Sequence, residues 1–410
     1  MNLGEDRRDD GDALAPLRSL FALPADSIYL DGNSLGPMPR MVAAEVQQLL
    51  VKEWSEDLIA SWNKHDWIRL PKDVGEQIAP LIGAAPGQVL CADTISINLF
   101  KLLSTALDLQ SGRRVILLAE GDFPTDGYVA QGLAGLLGEQ RCVLRRVPAK
   151  ELLTALNEEV AVLLLTEVNY RSGERFPMDE LTAAAHAAGA LTVWDLAHSA
   201  GAMKVQLDAA RADFAVGCGY KFFNGGPGAP GFLYVAERHQ EWARQPLSGW
   251  LGHREPFAFE AAYQPATGID RFQVGTPAVI SMVALRAALR VFDRVSLDAL
   301  RAKSLALTDL FMQSLSEAKL DSHFRCITPR EHERRGSQVS LCHEEAWGVS
   351  QALIERGVIV DFRAPDIVRF GFAPLYNRFS EVTRAVALLR EIMDTQAHRD
   401  SRFATRPTVT

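Results

Sequence analysis

Short apolar runs alternate with amphipathic stretches through the centre of the chain. Five runs have the length and composition of buried strands, at residues 115–120 (VILLAE), 161–168 (AVLLLTEV), 191–196 (LTVWDL), 214–217 and 232–236. Between two of them, residues 179–188 show a helical pattern that ends at a glycine, a frequent helix terminator. Continuous apolar strands separated by helices predict an α/β fold with a mostly parallel sheet and helices on both faces.

The pattern changes in the last third of the chain. Residues 279–295 predict one long helix that leads out of the sheet region. After residue 296 the chain becomes more charged and carries short strand patterns at 339–341, 358–361 and 367–370. This predicts a smaller α+β domain over 296–396, followed by a loose polar tail over 397–410.

Composition narrows the class of protein. The chain has 410 residues, 48% of them hydrophobic, and a net charge of −8, which argues against nucleic acid as a partner. No apolar run reaches the length of about 18 residues that a membrane span needs, and the charged N-terminus MNLGEDRRDDGD lacks a signal core. Five scattered cysteines form no CxxC pair, which favours reduced thiols and a cytoplasmic protein without a zinc site or any other metal.

Polar segments follow three of the predicted strands. They are AEGDFPTDGY (119–128), DLAHSAGAMK (195–204) and GCGYKFFNGGPG (217–228). Ligands of open α/β sheets bind beyond the carboxyl ends of the strands. We therefore expect these three segments to meet in one crevice.

Asp195 and Lys221 stand out within those segments. Asp195 ends the apolar run LTVWD, and Lys221 follows the next strand, before a glycine-rich loop. Taken singly, a turn aspartate and a surface lysine are the ordinary interpretations. Taken together, they fit pyridoxal phosphate, which forms a Schiff base with a lysine and needs a carboxylate at its pyridine nitrogen.

Other side chains fit the same cofactor. His198 would lie beside the cofactor ring, and Phe123 would either stack on it or plug the core. The segment CADTISINLF opens a helix, so Ser96 and the backbone from Ile95 can bind a phosphate, although an ordinary helix cap looks the same. Tyr220 can add a hydroxyl donor. Pro124 would stiffen the turn after Phe123, and Asp126 would be a polar neighbour.

A series of motifs in fixed order resembles the kynureninase family, which belongs to the fold type I pyridoxal-phosphate enzymes. The motifs are YLDGNSLGPMP (29–39), NLFKLL (98–103), GDFPTD (121–126), TEVNYRSGERFPM (166–178), WDLAHSAGA (194–202), FAVGCGYKFFNGGPGAPGFLYV (214–235), GWLGH (249–253), FQVGTP (272–277) and VRFGFAPLYNRF (368–379). The resemblance implies a large domain over 45–295 with a mostly parallel seven-stranded sheet. It also implies an N-terminal segment over 1–44 that packs against the small domain and a partner subunit.

The resemblance also implies roles for individual residues. Lys221, Asp195 and Tyr220 are the implied catalytic residues, with Lys221 as the Schiff-base lysine. The implied cofactor contacts are Ile95, Ser96, Phe123, Pro124, Thr125, Asp126, Thr166, Asp195, His198, Tyr220, Lys221, Trp250 and Thr276. Trp250 and Thr276 are expected to reach the cofactor of the partner subunit, which implies a homodimer with composite sites.

The implied substrate contacts are Arg369, Ser34 and Trp62. Arg369 would bind the α-carboxylate, because its planar fork of donors matches a carboxylate. Ser34 and Trp62 would line the pocket for the aminophenyl ketone. The implied reaction is hydrolysis of L-kynurenine, or of its 3-hydroxy form, to the matching anthranilate and L-alanine, in tryptophan degradation and pyridine-nucleotide synthesis.

Three alternatives stay open from the sequence. A cysteine desulfurase would need a nucleophilic cysteine on a mobile loop, for which Cys326 and Cys342 are candidates, although Cys342 follows an apolar strand. A transaminase would bind a second keto acid. A regulator that senses pyridoxal phosphate would need a DNA-binding module, for which the chain has neither spare length nor a basic patch.

Overall fold

The structure, a computed structural model, describes residues 7–406. The strands are β1 (Ile28–Tyr29), β2 (Val89–Cys91), β3 (Val115–Ala119), β4 (Val143–Val147), β5 (Val160–Thr166), β6 (Leu191–Asp195), β7 (Phe214–Cys218), β8 (Gly231–Val235), β9 (Arg325–Cys326), β10 (Gln338–Cys342), β11 (Val358–Ile359), β12 (Asp361–Arg363) and β13 (Ile367–Gly371).

The α-helices are α1 (Arg7–Asp10), α2 (Arg40–Gln48), α3 (Ser61–Lys64), α4 (Leu70–Ile78), α5 (Ile95–Leu109), α6 (Pro124–Leu137), α7 (Leu152–Ala155), α8 (Met178–Ala187), α9 (Glu237–Gln240), α10 (Val279–Leu289), α11 (Leu297–Glu317), α12 (Ala346–Glu355) and α13 (Phe379–Thr395). Across residues 7–406, no helix combines the length and the apolar character that crossing a membrane requires.

Seven strands form the central sheet, in the order β2-β8-β7-β6-β5-β3-β4. The run from β7 to β4 is parallel, and β8 is antiparallel to both of its neighbours. The predicted mostly parallel α/β sheet is therefore confirmed. The apolar pattern of the sequence does not predict β2 or β4, because β2 is only three residues long and β4 (VLRRV) is an edge strand with two arginines.

Helices cover both faces of this sheet, which explains why the sequence of β5 is continuously apolar. Leu163 and Leu165 belong to the core layer that contains residues of α4 and α10. Val162 and Leu164 belong to the opposite layer, with residues of α5 and α6. Because alternate side chains of a strand point to opposite faces, both sets must be apolar.

The last third of the chain forms a second sheet, in the order β12-β13-β10-β9, whose neighbours are all antiparallel. Two sequence predictions need correction here. The expected strand 358–361 is two strands, β11 and β12, which join different sheets and separate at Val360. The expected helix 279–295 ends at Leu289, because the chain then turns to bury Val291 and Phe292 in the core.

The N-terminal segment is bound to the small domain. Strand β1 pairs in parallel with β11, Ile28 opposite Val358. The Asp9 carboxylate accepts hydrogen bonds from the backbone N–H groups of Phe379 (2.7 Å) and Ser380 (3.2 Å), which begin α13. These contacts agree with the expected packing of the segment, although its predicted end at residue 44 falls inside α2.

The predicted loose tail is wrong for the described part of residues 397–410. Residues Ala397–Arg399 and Ser401–Ala404 form two short 3-10 helices. His398 is buried, and the Trp347 indole N–H donates to the Phe403 carbonyl at 2.8 Å. The polar sequence of the tail does not predict these contacts, because Trp347 belongs to α12, which is distant in the sequence. Residues 407–410 lie outside the described residues.

Asp213 links several side chains at the amino-terminal ends of β6 and β7 in the large sheet. Its buried carboxylate pairs with His186 and His239 at 2.8 Å each and with Arg238 at 2.6 Å, and it accepts from the Thr192 backbone N–H at 2.8 Å. Burial acts to raise the pKa of Asp213, but the hydrogen bonds from the two histidines and Thr192 outweigh it and lower the pKa. The ionised carboxylate is therefore a stabilising group in the folded state.

Asp213→Asn should lower the free energy of unfolding by about 3 kcal/mol near pH 7, because it leaves buried donors without their charged partner. A carboxylate whose folded pKa is depressed stabilises the fold above its unfolded pKa of about 4 and loses that contribution as the pH falls below it. Urea unfolding at pH 7 and at pH 3 measures this, and the difference between variant and wild type should shrink at the lower pH, by about 1 kcal/mol for one pH unit below the unfolded pKa.

Asp298→Asn is the matched control. Asp298 pairs with Lys204 at 2.8 Å on the surface, with its side chain 77% exposed. Such a pair contributes less than about 1 kcal/mol. Equal effects of the two substitutions at pH 7 would contradict the role given to Asp213.

Candidate active site

A cavity of about 290 Å³ lies at the carboxyl ends of the central strands. Its walls include Phe123 after β3, His198 after β6 and Lys221 after β7. The three polar segments therefore converge, as the sequence predicted. The parallel register brings them together, since Thr166, Asp195 and Val216 are direct neighbours across β5, β6 and β7.

Lys221 presents an amine with a lowered pKa to this cavity. Its Nζ lies 2.9 Å from Nε2 of His198 and 6.0 Å from the centre of the Phe123 ring. Burial lowers the pKa of Lys221, and the cationic side chains of Arg369 and Arg363 act in the same direction. A lysine with a lowered pKa has the nucleophilic and basic neutral form accessible near neutral pH.

His198 is a neutral acceptor for this amine. The imidazole is buried, and burial together with the neighbouring Lys221 holds its pKa well below the usual value. Its Nδ1 has no hydrogen-bond partner among the described residues. One edge of the ring thus contacts Lys221, while the other edge retains an unused polar atom.

A cluster of three carboxyl groups lies behind Lys221. Asp195 accepts from the Ala197 backbone N–H at 2.8 Å, and Asp122 accepts from the Thr166 backbone N–H at 3.5 Å. Burial raises the pKa of Asp195 against the opposing pull of Lys221, and it raises the pKa of Asp122 to about 7.

Asp126 completes that cluster, and its surroundings favour the protonated acid. It lies in the first turn of α6, is 1% exposed, and neither of its carboxyl oxygens has a donor among the described residues. Burial raises the pKa of Asp126 well above its usual value, and the charge of Asp195 raises it further. A protonated Asp126 can donate to Asp195, which leaves the negative charge on Asp195.

The opposite end of the cavity is the amino terminus of α5. Thr94 caps this helix by accepting from the Ile97 N–H at 3.4 Å, and Ile95 and Ser96 form its first turn. The first N–H groups of a helix have no intrahelical acceptor and carry partial positive charge, so they bind anions. Tyr220 lines the same cavity, and its carbonyl accepts from the Gly36 N–H at 2.8 Å.

The remaining expected cofactor residues divide into two groups. Thr125 and Thr166 line the cavity, and Pro124 is the first residue of α6. Trp250 and Thr276 do not line it: Trp250 is 38% exposed, and Thr276 lines a separate cavity of about 490 Å³. The two cavities share Tyr220 as a wall residue.

Arg369 is buried in the small domain, where its guanidinium is held by oxygen atoms. Nη1 donates to the Tyr170 carbonyl at 2.7 Å, and Nη2 donates to Ser34 Oγ at 3.2 Å and to the Asp361 carboxylate. Nε has no partner among the described residues. Ser34 Oγ also donates to Asp361 at 2.7 Å, so the structure places Ser34 beside the arginine.

Trp62 is not part of the cavity formed by this chain. Its ring packs edge-on against Trp67, with the centroids 5.8 Å apart. The expected role of Trp62 at the substrate's aryl ketone is therefore not met by residues of one chain.

Three residues near the site were missed from the sequence. Tyr170 lines the cavity between β5 and the small domain. Asp361 binds Arg369, and Arg363 donates to Asp361 at 2.8 Å. The sequence does indicate that Asp361 and Arg363 share a face, because they lie two positions apart on one strand. Their place beside Arg369 could not be predicted, because it depends on the antiparallel register that sets Asp361 opposite Arg369.

Solved structures share this fold. The apo structure of a cysteine desulfurase from Thermococcus onnurineus NA1 superposes with a TM-score of 0.77 and 19% identity, covering 93% of this chain and 98% of that one. A mutant of C-DES with glycine covalently linked to the PLP cofactor gives a TM-score of 0.75 at 19% identity, over 91% and 99% of the two chains. The chain has the fold of the fold type I pyridoxal-phosphate enzymes.

Sequence comparison is more specific. The family model of the kynureninase C-terminal domain matches residues 300–389. A kynureninase of Burkholderia pseudomallei is 52% identical over 408 residues, which covers 98% of each chain, and a kynureninase of Deinococcus radiodurans is 53% identical over 394 residues, or 95% of each. The chain belongs to the kynureninase family.

Family membership assigns pyridoxal 5′-phosphate as the cofactor, and the residues of the cavity fit it. An amine, a carboxylate and a helix amino terminus are what its aldehyde, pyridine nitrogen and phosphate require. They surround one cavity as Lys221, Asp195 and the first turn of α5.

Asp126→Asn should keep most of the cofactor affinity, because an amide can donate to Asp195 as the protonated acid does. Asp126→Ala removes that donor from a buried carboxylate and should weaken cofactor binding by about tenfold. Titration of the apoprotein with pyridoxal phosphate, followed by the visible absorbance of the bound cofactor, measures both.

The same titration on Asp122→Asn separates this role from a general effect of carboxyl loss in the cluster. Asp122 contacts the Thr166 backbone rather than accepting from Asp126, so its amide variant should behave like wild type. If Asp126→Asn bound the cofactor as weakly as Asp126→Ala, the protonated state of Asp126 would be refuted.

Proposed function

We propose that the chain hydrolyses L-kynurenine to anthranilate and L-alanine with pyridoxal 5′-phosphate bound in the Lys221 cavity. The observation that carries the proposal is the half-buried Lys221 amine, 2.9 Å from His198 in a cavity that Asp195 also lines. The 52% identity to a kynureninase over nearly the whole chain supports the same activity. The 3-hydroxy form of the substrate fits the same proposal.

The cofactor, when bound, supplies an electron sink for negative charge at the substrate carbon beside the amino group. The chain's own groups do the rest. Asp195 holds negative charge behind the cavity, and Asp126 supports it with a proton. The lowered pKa of Lys221 lets its amine remove the α proton, and His198 accepts a hydrogen bond from that amine.

Arg369 is the proposed anchor for the substrate's α-carboxylate. Its Nε lacks a partner among the described residues, and its charge already influences the pKa values of Lys221 and His198. A carboxylate bound there would place the neighbouring α carbon toward Lys221. Tyr220 is the proposed donor for later proton transfers, because its hydroxyl, whose pKa is raised by burial, stays protonated.

Cysteine desulfurase chemistry is disfavoured by the thiols of the small domain. Cys326 and Cys342 are residues of β9 and β10, within the sheet rather than on a loop. Burial raises the pKa of both thiols, which reduces the thiolate available for attack. The likeness to desulfurase structures is therefore a likeness of fold.

We further propose that the protein is a cytoplasmic homodimer with composite sites. The five cysteines are unpaired, which fits a reducing compartment. Several large apolar side chains are exposed on this chain, and exposed apolar surface is typical of interfaces when it is contiguous. They include Leu35, Met38, Trp250, Phe257, Phe259 and Ile280. A partner would bring Trp250 and Thr276 to a site that each chain leaves without them.

The activity is tested by adding L-kynurenine to the purified holoenzyme and following anthranilate fluorescence. Lys221→Ala should lose turnover by at least about a thousandfold and lose the yellow colour of the bound cofactor, because no other buried amine lines the cavity within the described residues. Lys204→Ala, a surface lysine paired with Asp298, is the control. Release of sulfide from cysteine, with no fluorescence from kynurenine, would overturn the assignment.

Composite sites are tested by mixing two inactive chains. Trp250→Ala alone should be strongly impaired. Co-expression of Lys221→Ala with Trp250→Ala should restore about a quarter of wild-type activity, since half of randomly mixed dimers are hybrids and each hybrid has one intact site out of two.

The control places both substitutions in one chain and mixes it with wild type. Every site of such a hybrid lacks either Lys221 or the partner's Trp250, so hybrids contribute nothing and the wild-type dimers alone leave about a quarter of the activity, against about a half if Trp250 served its own chain. About a quarter of wild-type activity in both mixtures supports the proposal. The absence of recovery, with hybrids demonstrated by differential tags, would mean that Trp250 serves its own chain.

A further inference from the structure

The turn formed by residues 169–175 projects from the large domain directly after β5. The Asn169 side chain closes it by accepting from the backbone N–H groups of Arg171 (3.0 Å) and Ser172 (3.1 Å). The Gly173 N–H donates to the Asn169 carbonyl at 2.8 Å, with Gly173 at a positive φ of 71°. These bonds make the turn a defined structure.

The outer side of this turn is bonded to the small domain. The Gly336 N–H donates to the Gly173 carbonyl at 2.9 Å, and Thr328 Oγ1 donates to the Ser172 carbonyl at 2.5 Å. Two residues further on, the Arg175 N–H donates to the Arg334 carbonyl of the small domain at 2.9 Å. The turn is therefore hydrogen-bonded to the small domain while remaining covalently part of the large one.

Tyr170, within the turn, contacts both halves of the candidate site. Its carbonyl accepts from Arg369 Nη1 at 2.7 Å and from Gln338 Nε2 at 3.0 Å. Its ring lines the Lys221 cavity and meets the Phe123 ring edge-on, with the centroids 5.2 Å apart. A single residue thus touches the proposed carboxylate anchor and the proposed stacking partner of the cofactor.

We infer that Tyr170 is a positioning residue that fixes the direction of the Arg369 guanidinium relative to the cofactor face, an inference that rests on the proposed carboxylate role of Arg369. The guanidinium has oxygen anchors in Asp361, Ser34 and the Tyr170 carbonyl. The first two belong to the small domain and the N-terminal segment. Of the three anchors in the described part of the chain, the Tyr170 carbonyl alone belongs to a residue that also lines the Lys221 cavity.

The consequence is selective. Misdirection of Arg369 weakens recognition of a substrate carboxylate, because bidentate pairing depends on the plane of the fork. It leaves recognition of the remainder of the substrate intact. A residue with a merely structural role would change stability, or affinity for all ligands, without this selectivity.

Gly173→Ala tests the turn. The positive φ disfavours alanine, and the new Cβ would lie 2.8 Å from the Gln338 carbonyl oxygen, so the turn must shift against the small domain. Gly87→Ala is the matched control, because its φ of 79° is similar and nothing lies within 4 Å of the added Cβ. Both holoenzymes are assayed with L-kynurenine, and with the amine that lacks only the α-carboxylate as a competitive inhibitor.

Gly173→Ala should lower kcat/KM for L-kynurenine about tenfold or more and change the inhibition constant of the amine less than about twofold. Tyr170→Ala, which removes the cavity wall, should weaken both ligands. Gly87→Ala should match wild type in both measurements. If Gly173→Ala does not fold, Gln338→Met replaces it, since it removes a donor to the Tyr170 carbonyl without straining the turn.

Arg369→Met separates failure of this inference from failure of the proposed function. If Arg369→Met keeps the preference for the carboxylate-bearing ligand, Arg369 is not its anchor and the proposed function fails at that residue. If Arg369→Met abolishes the preference while Gly173→Ala and Gln338→Met preserve it, the inference about Tyr170 is overturned. Parallel loss of preference in all three supports it.

Discussion

The enclosure of an amine beside a buried carboxyl group, at the ends of adjacent parallel strands, is the constraint on which the site depends. Asp195 ends β6, and Lys221 follows β7, its neighbour in the sheet. Asp195 is buried and Lys221 is half-buried, so each is poorly solvated and depends on neighbouring groups such as His198 and Asp126. The same lack of solvent lowers the pKa of the amine and makes it chemically useful.

The sequence was sufficient for the parts of the site that follow buried strands. A continuous apolar run has one meaning in an α/β protein, so the carboxyl ends of β3, β6 and β7 could be located from the pattern. Phe123, Asp195 and Lys221 follow from those ends. The mostly parallel sheet and the coverage of both faces follow from the same runs, although β2 and β4 escaped because short or edge strands carry a weak pattern.

The parts that depend on register or on another chain were not readable. Arg369 was named through resemblance, but its partner Asp361 required the antiparallel pairing of β12 with β13. Tyr170 lies in a polar turn whose sequence gives no reason to face a cavity. Trp62, Trp250 and Thr276 lie outside the Lys221 cavity of this chain. The shared fold of desulfurases shows the same limit, since one scaffold accommodates different reactions through such local differences.

The pairing of β1 with β11 limits the order in which the protein can fold during its synthesis on the ribosome. Ile28 finds its partner Val358 only after 330 further residues have been made, and Asp9 waits for the start of α13. At usual rates of synthesis this delay is on the order of tens of seconds. The segment that carries β1 therefore cannot complete its packing until the small domain has been made, however early the large domain folds.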